Sequence, residues 1–296
     1  MNIADTLGYI AHETISQNLT GVIFGVMSRG IYVKTSSRWL SFISCEPHCS
    51  PITINLNGDL IYFHQISSGM PVEISDGQMI LPDGRLTINA QNSAVWNPPL
   101  PQSPPLSKAE CIQNLAYFAK KALTQKPSVG LCPLLPHLLI LPEIEKELEL
   151  NPLQREILAI HPFLLNREAA PFVSKLCNCL GAGAGLTPSG DDFVTGLLLA
   201  LNRWVDVLWD RNDLDLITQK VVEAAYLKTT TLSANLIELA SLGEGDERIL
   251  QAIDLIMGGN TDKSSIVDDL LGWGSSSGVD MLVGFAAALS ITTTSW

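Results

Sequence analysis

No apolar run in this chain approaches the roughly 18 residues that a membrane-crossing helix requires. The longest candidate, Phe193 to Leu201, is about half that length. Charge is also scarce and one-sided: charged residues make up 16% of 296, with 30 acidic against 18 basic side chains and a formal net charge of −12. Such a chain offers no basic footprint to a nucleic-acid backbone or an anionic membrane surface, so neither is expected as a partner. The first residues, MNIADTLGYIAHETI, lack the cationic start and apolar centre of a secretory signal, and the expected location is the cytoplasm. The six cysteines are then expected to be reduced thiols. Cys45-Glu46-Pro47-His48-Cys49 looks like half a zinc site, but Cys177 and Cys179 are separated by one residue where such sites use about two to four. No metal site is expected from them. The histidines at 12, 48, 64, 137 and 161 lie outside every motif described below, so no Ser-His-Asp arrangement can be argued.

Apolar residues, at 46%, are plentiful enough for a large buried core. The first hundred residues read as β-rich. A short helix is expected over Ile3 to Ser16, followed by strand-like runs GVIFGVM, GIYVKT, WLSFIS, ITINL, LIYFH, PVEIS, QMILP and RLTIN. Asn57-Gly58 and Asp83-Gly84 are hairpin dipeptides between such runs. The alternation in Ile52 to Leu56 predicts one buried face and one wet face. NPPLPQSPP, residues 97 to 105, then breaks the pattern with five prolines in nine positions. Beyond it Ser107-Lys108-Ala109-Glu110 is a capping box, with Leu106 and Cys111 placed for a hydrophobic staple. That helix should run to about Leu123. GLCPLLPHLLILP, 130 to 142, reads as a buried, proline-broken connection, and the rest is helical. The expected fold is α+β: a β-rich N-terminal barrel or sandwich over residues 1–104, then a mainly α-helical C-terminal domain over 105–296.

The most distinctive stretch is GAGAGLTPSGDDFVTG, 181 to 196. Thr187 is the expected N-cap of a helix, with Pro188 at its first position, where a missing N–H costs nothing. Asp191 and Asp192 fall in the first turns, where the helix dipole favours carboxylates. After them the sequence is apolar nearly all round, so the helix is buried and its N-terminus opens into the interior or a cleft. SSSGVDMLVG, 275 to 284, repeats the frame Ser-Gly-x-Asp-x-x-x-Gly: Ser189, Gly190, Asp192 and Gly196 match Ser277, Gly278, Asp280 and Gly284. Glycines precede both copies and an apolar helix follows both. Two such starts predict that the N-termini meet at one pocket, by a pseudo-twofold relation. Lys228-Thr229-Thr230-Thr231-Leu232-Ser233-Ala234-Asn235 reads as a third cap, whose Thr230, Ser233 and Asn235 would complete a site; Lys228 itself reads as a solvated lysine.

Exposed N–H groups at glycine-rich helix starts bind anions. Gly185 and Gly190 have the glycine spacing of a phosphate loop, yet Asp191-Asp192 stands where that loop carries Lys-Ser/Thr. Two carboxylates suit a protonated amine, the N–H groups of an amide or ureido substrate, or a Mg²⁺ ion, which is the one cofactor the motif suggests. The candidate catalytic residues are therefore Asp192, Asp280 and Asp191. The candidate substrate-binding residues are Gly183, Gly185, Thr187, Ser189, Gly190, Thr230, Ser233, Asn235, Ser276, Ser277 and Gly278.

LTPSGDDFVTG, TTTLSAN and GSSSGVDMLVG, in that order, resemble the AllH-like family over roughly residues 170 to 290. GAGAG stands where glycine-proline-glycine is common, a departure confined to loop shape. The resemblance implies one component of an oxamate carbamoyltransferase of anaerobic allantoin breakdown, with a reaction of oxalurate and phosphate that gives oxamate and carbamoyl phosphate. It also implies partner subunits and a small-molecule substrate bearing carboxylate or phosphate. The rival expectation is a non-catalytic subunit that binds a small anion or ureido compound and regulates or scaffolds a partner.

Overall fold

A computed structural model describes residues 2–27, 30–57, 66–81, 87–139, 149–259 and 263–290. The chain divides into two compact units, Met1–Pro99 and Leu100–Trp296.

The first unit holds nine strands among the described residues: β1 (Asn2–Gly8), β2 (Leu19–Met27), β3 (Gly30–Thr35), β4 (Leu40–Ser44), β5 (Thr53–Asn57), β6 (Pro71–Ser75), β7 (Gln78–Ile80), β8 (Thr87–Asn89) and β9 (Ala94–Trp96). They form one sheet in the order β5-β4-β3-β2-β6-β7-β8-β1-β9, and a further β1–β5 pairing curls the sheet back on itself. Its inner face is an aliphatic cluster that includes Leu7, Ile23, Ile31, Val33, Ile43, Ile54, Ile74, Met79 and Ile88.

Two expectations are corrected here. The first helix, α1, covers only Tyr9–Ile15, and the residues before it are strand β1. β1 pairs with β5 on one side and with β8 and β9 on the other, so sheet pairing overrides the local helical reading. Residues Ile52 to Leu56 have no wet face, because all five are buried. The loop before β5 covers the polar side: Asn55 donates to His48 O (2.8 Å) and accepts from His48 N (3.3 Å). The tight hairpin visible in the structure is Asp76-Gly77, between β6 and β7, where both residues have positive φ (51° and 72°) as a primed turn requires. Gly58, Asp83, Gly84 and the run LIYFH lie outside the described residues. The His48 of the cysteine cluster packs its ring against Phe42 and meets Thr53 Oγ1 at 3.3 Å.

The second unit is helical: α2 (Lys108–Gln125), a 3₁₀ turn (Cys132–Leu134), α3 (Leu135–Leu139), α4 (Pro152–Leu158), α5 (His161–Leu165), α6 (Ala169–Cys179), α7 (Ser189–Arg203), α8 (Val205–Leu208), α9 (Arg211–Lys228), α10 (Thr231–Ser241), α11 (Glu247–Gly258), α12 (Lys263–Gly272) and α13 (Ser277–Ser290). The capping box of α2 forms as expected, with the Glu110 carboxylate accepting from Ser107 N (3.0 Å) and Oγ (2.6 Å).

The centre of this unit is the pair α7 and α13. Every residue from Gly190 to Leu201 is buried, as is every residue from Gly278 to Leu289. Each large aliphatic or aromatic side chain removed from water there contributes about 1.5–3 kcal/mol. α6, α8, α9 and α10 cover α7, while α2, α3, α5 and α12 pack against α13.

The two helices touch backbone to backbone. A Cβ added at Gly196 would lie 2.2 Å from Met281 O, and one added at Gly284 would lie 2.4 Å from Phe193 O. The contact is reciprocal in the repeated frame, since Met281 follows Asp280 as Phe193 follows Asp192. The preceding helices repeat the device: a Cβ at Gly190 would meet Cys179 O at 2.0 Å, and one at Gly278 would meet Leu270 O at 1.7 Å. The crossing of α7 and α13 is therefore self-complementary, each helix offering the same frame position to the other's backbone.

Gly196→Ala or Gly284→Ala should lower stability by at least about 1–3 kcal/mol, because the atoms in the way are backbone. Gly272→Ala, where an added Cβ meets nothing within 4 Å, should leave the melting temperature unchanged or slightly raised. Thermal melts of the three variants check this.

Candidate functional site

The helix start differs from expectation by one residue. Pro188 is the N-cap of α7, with extended ψ of 147°, and Ser189 begins the helix. Pro188 O accepts from Asp191 N (2.9 Å) and Asp192 N (3.1 Å). Thr187 is thereby released from capping, and its Oγ1 meets Ser277 Oγ at 3.1 Å, which joins the two loops that precede α7 and α13.

The adjacent aspartates have different surroundings. Asp191 is engaged on both oxygens: Oδ1 accepts from Gly181 N (2.7 Å) and Oδ2 from the Thr229 hydroxyl. Burial raises its pKa, while Thr229, Gly181 and Ser233 act to lower it. Asp191 ties the glycine loop to the end of α9.

Asp192 is 1% exposed and its Oδ2 has no hydrogen-bond partner among the described residues. Burial, aided by the negative charges of Asp280 and Asp191, pushes its pKa to about 8 against the favourable hydroxyls of Ser277 and Thr187. Asp280 is 0% exposed; its Oδ1 accepts from Leu131 N at 2.6 Å and its Oδ2 is likewise unpartnered among the described residues. Burial raises its pKa too, opposed by Leu131 N–H, the hydroxyls of Ser189 and Ser276, and the Lys126 ammonium. The hydroxyl support is crosswise: the α13 serine serves the α7 aspartate, and the α7 serine serves the α13 aspartate. The structure thus brings Asp192, Asp280, Thr187, Ser189, Ser276 and Ser277 together.

The third motif builds the loop. Thr230 caps α10 by accepting from Ser233 N (3.1 Å) and donates to Leu186 O (2.7 Å). Ser233 Oγ donates to the same carbonyl at 3.4 Å. The Asn235 amide donates to Tyr226 OH (2.9 Å), which itself donates to Glu238. Lys228 Nζ donates to Cys177 O at 2.9 Å.

Gly183 and Gly185, with φ of 127° and 98°, shape the exposed loop before α7, and Gly190 and Gly278 permit the close helix contacts. The N–H groups of Gly183, Ala184 and Gly185, and of Gly274, Ser275 and Ser276, have no acceptor among the described residues. Two groups were invisible to motif reading. Lys126, the C-cap of α2, places Nζ 3.2 Å from Ser275 O, and Gly130 backs onto the Asp280 carboxylate, where an added Cβ would lie 2.8 Å from Cγ. Their sequence, KPSVGL, repeats nothing; only a helix-ending Lys-Pro followed by Gly marks it as a built turn.

The site can offer N–H and hydroxyl donors at its exposed loops and two unpartnered carboxyl oxygens at its closed end. It does not offer a thiolate: burial and the Asp280 charge push the Cys132 thiol up to about 11. Nor do the carboxylates fit Mg²⁺. Among the described residues no three His, Cys, Asp or Glu side chains converge as a metal site. The two free oxygens are also closed off from water, which Mg²⁺ keeps in its shell. A separate surface cleft of ≈ 310 Å³, lined by Arg167, Val207, Trp209, Asp210 and Arg211, shares no residue with this constellation.

Residues 179–289 match the family of the oxamate carbamoyltransferase subunit AllH. The matched span begins at the end of α6 and runs through α13, so it contains both helix starts and the α10 cap between them. No curated protein and no solved structure matches the chain. Among the described residues no helix is long and apolar enough to cross a membrane.

Asp192 binds its proton far more tightly folded, with a pKa of about 8, than at the ordinary carboxyl value of 3.8. A pKa raised on folding contributes stability that is complete below the unfolded value and is lost as pH rises through the folded value. The unfolding free energy should therefore fall between pH 4 and 8, by up to about 1.4 kcal/mol per pH unit for each proton so held, and the melting temperature with it. Asp192→Asn should flatten that fall, which thermal melts across the pH range will read.

Proposed function

We propose that this chain acts as a subunit in carbamoyl transfer, binding a small ureido carboxylate of the oxalurate or oxamate type together with phosphate or carbamoyl phosphate. The observation that carries the reading is the pair of unpartnered buried carboxyl oxygens, one from each copy of a repeated helix start. A ureido group is itself locally twofold, with N–H donors on either side of one carbonyl. Two acceptors at matching positions of a repeated frame match that chemistry as they match no phosphate.

The roles follow from the surroundings. Asp192 and Asp280 accept from the ureido nitrogens. The unpaired N–H groups of residues 183–185 and 274–276 bind carboxylate or phosphate oxygens, in the manner of helix starts that hold anions. Lys126 adds a positive charge beside the second loop. Asp191, Thr230 and Ser233 position the first loop. Because both carboxylates are closed, binding requires the Thr187–Ser277 contact between the loops to part. Carbamoyl transfer needs stabilised oxygen charge and correct alignment more than a protein nucleophile, in keeping with the neutral Cys132. The family's description as a subunit supports a reading in which partner chains complete the enzyme.

The test is carbamoyl phosphate formation from oxalurate and phosphate, by the chain alone and with its partner subunits. Asp192→Asn should lower turnover by about 10²-fold or more. Lys126→Ala should raise the KM for the anionic substrate about tenfold, the loss of one charge-assisted hydrogen bond. Ligand binding without turnover in the complete complex, unchanged by Asp192→Asn, would assign a binding role instead.

A further inference from the structure

Two carboxyl groups are 1% and 0% exposed, each leaves one oxygen unpartnered among the described residues, and the negative field of Asp280 reaches Asp192. Buried like charges this close are not both ionised when no cation separates them. Their surroundings are nearly symmetric, with one crosswise serine hydroxyl apiece, but symmetry fails at two points. Asp280 alone accepts a backbone N–H, from Leu131 at 2.6 Å, and Asp280 alone has the Lys126 ammonium in reach. Both favour its charged form. Asp192 has only the hydroxyls of Ser277 and Thr187 to support its charged form, and burial together with a second carboxylate, Asp191, its neighbour on α7, works against them. The other groups packed around the pair add no charge that would reverse this order: Cys132 on the 3₁₀ turn is a neutral thiol, α10 presents Thr230 and Ser233, and Lys228 of α9 is turned to Cys177 O.

We propose that Asp192 and Asp280 are one acid–base unit that holds a single proton, carried by Asp192 in the resting protein; during carbamoyl transfer Asp192 gives that proton up as Asp280 takes one from the substrate. The inference rests on the carbamoyl-transfer reading for its chemistry but not for its resting state. In the step, an amide nitrogen attacks the carbamoyl carbon, the N–C bond forms, and the bond from that carbon to the departing oxygen breaks. The nitrogen gives its proton to ionised Asp280, and Asp192 gives its proton to the departing oxygen of the phosphate-type leaving group. One proton enters the pair and one leaves, so its total charge is constant throughout. In the reverse direction Asp280 protonates the departing nitrogen and Asp192 takes the proton of the attacking hydrogenphosphate. A relay that runs both ways calls for two acids of the same kind, as the repeated frame supplies.

The resting proton can be seen without turnover. Infrared spectra of the full chain with ¹³C-labelled aspartate, free of divalent metal, should show a neutral, solvent-shielded carboxyl at pH 7 that titrates near pH 8. The signal should vanish in Asp192→Asn. In Ser277→Ala it should persist to higher pH, because a hydroxyl that supports the charged form is gone. Absence of the neutral carboxyl at pH 7, or its survival in Asp192→Asn, would overturn the proposal. Neither result depends on whether carbamoyl phosphate is made, so a failed assay and a failed proton assignment are told apart.

Discussion

The backbone crossing of α7 and α13 at Gly196 and Gly284 is the constraint on which the rest of the helical unit depends. With no Cβ between them, Gly196 meets Met281 O and Gly284 meets Phe193 O. Both contacts adjoin an aspartate, so the crossing that packs the core also carries Asp192 and Asp280 toward each other. Apolar packing on all remaining sides of the two helices excludes water from that junction. The same feature thus supplies stability and creates an electrostatic problem: two acidic groups in a medium that disfavours their charge.

The loops in front of the helices resolve part of that problem and leave part of it open. Leu131 N–H satisfies one oxygen of Asp280, and hydroxyls from the opposite helix start support each acid. Asp191 shows what complete satisfaction looks like one residue away, with a backbone amide on one oxygen and a threonine on the other. Buried polar groups are nearly always paired, so two unpaired oxygens at matching positions mark a place where a ligand group or a proton completes the structure. The matched AllH span encloses both.

Much of this was legible in the sequence because it is written in local rules. The capping box at Ser107–Glu110, the all-round apolar character after Asp192 and the repeated Ser-Gly-x-Asp-x-x-x-Gly frame each depend on residues within a few positions of one another. What escaped depends on contacts distant in sequence. β1 was hidden because Asn2–Gly8 is short and takes its structure from partners some fifty and ninety residues away. The burial of Asn55 rests on the His48 backbone. Lys126 and Gly130 belong to the site only because α2 ends beside α13, about 150 residues later in the chain, and no periodicity announces that. Thr187 looked like a cap because its residue type caps well; the proline after it moved the helix start and freed the hydroxyl for Ser277.

The central claim is that the two helix starts press Asp192 and Asp280 against each other. A double-mutant cycle with Asp192→Asn and Asp280→Asn, read as unfolding free energy above pH 8, where Asp192 gives up its proton, tests it most directly. The account predicts that each single substitution stabilises the protein and that the double variant gains less than the sum, with a coupling of about 0.5–3 kcal/mol. Additivity within about 0.3–0.5 kcal/mol would mean that the two side chains do not face one another, and would contradict the account.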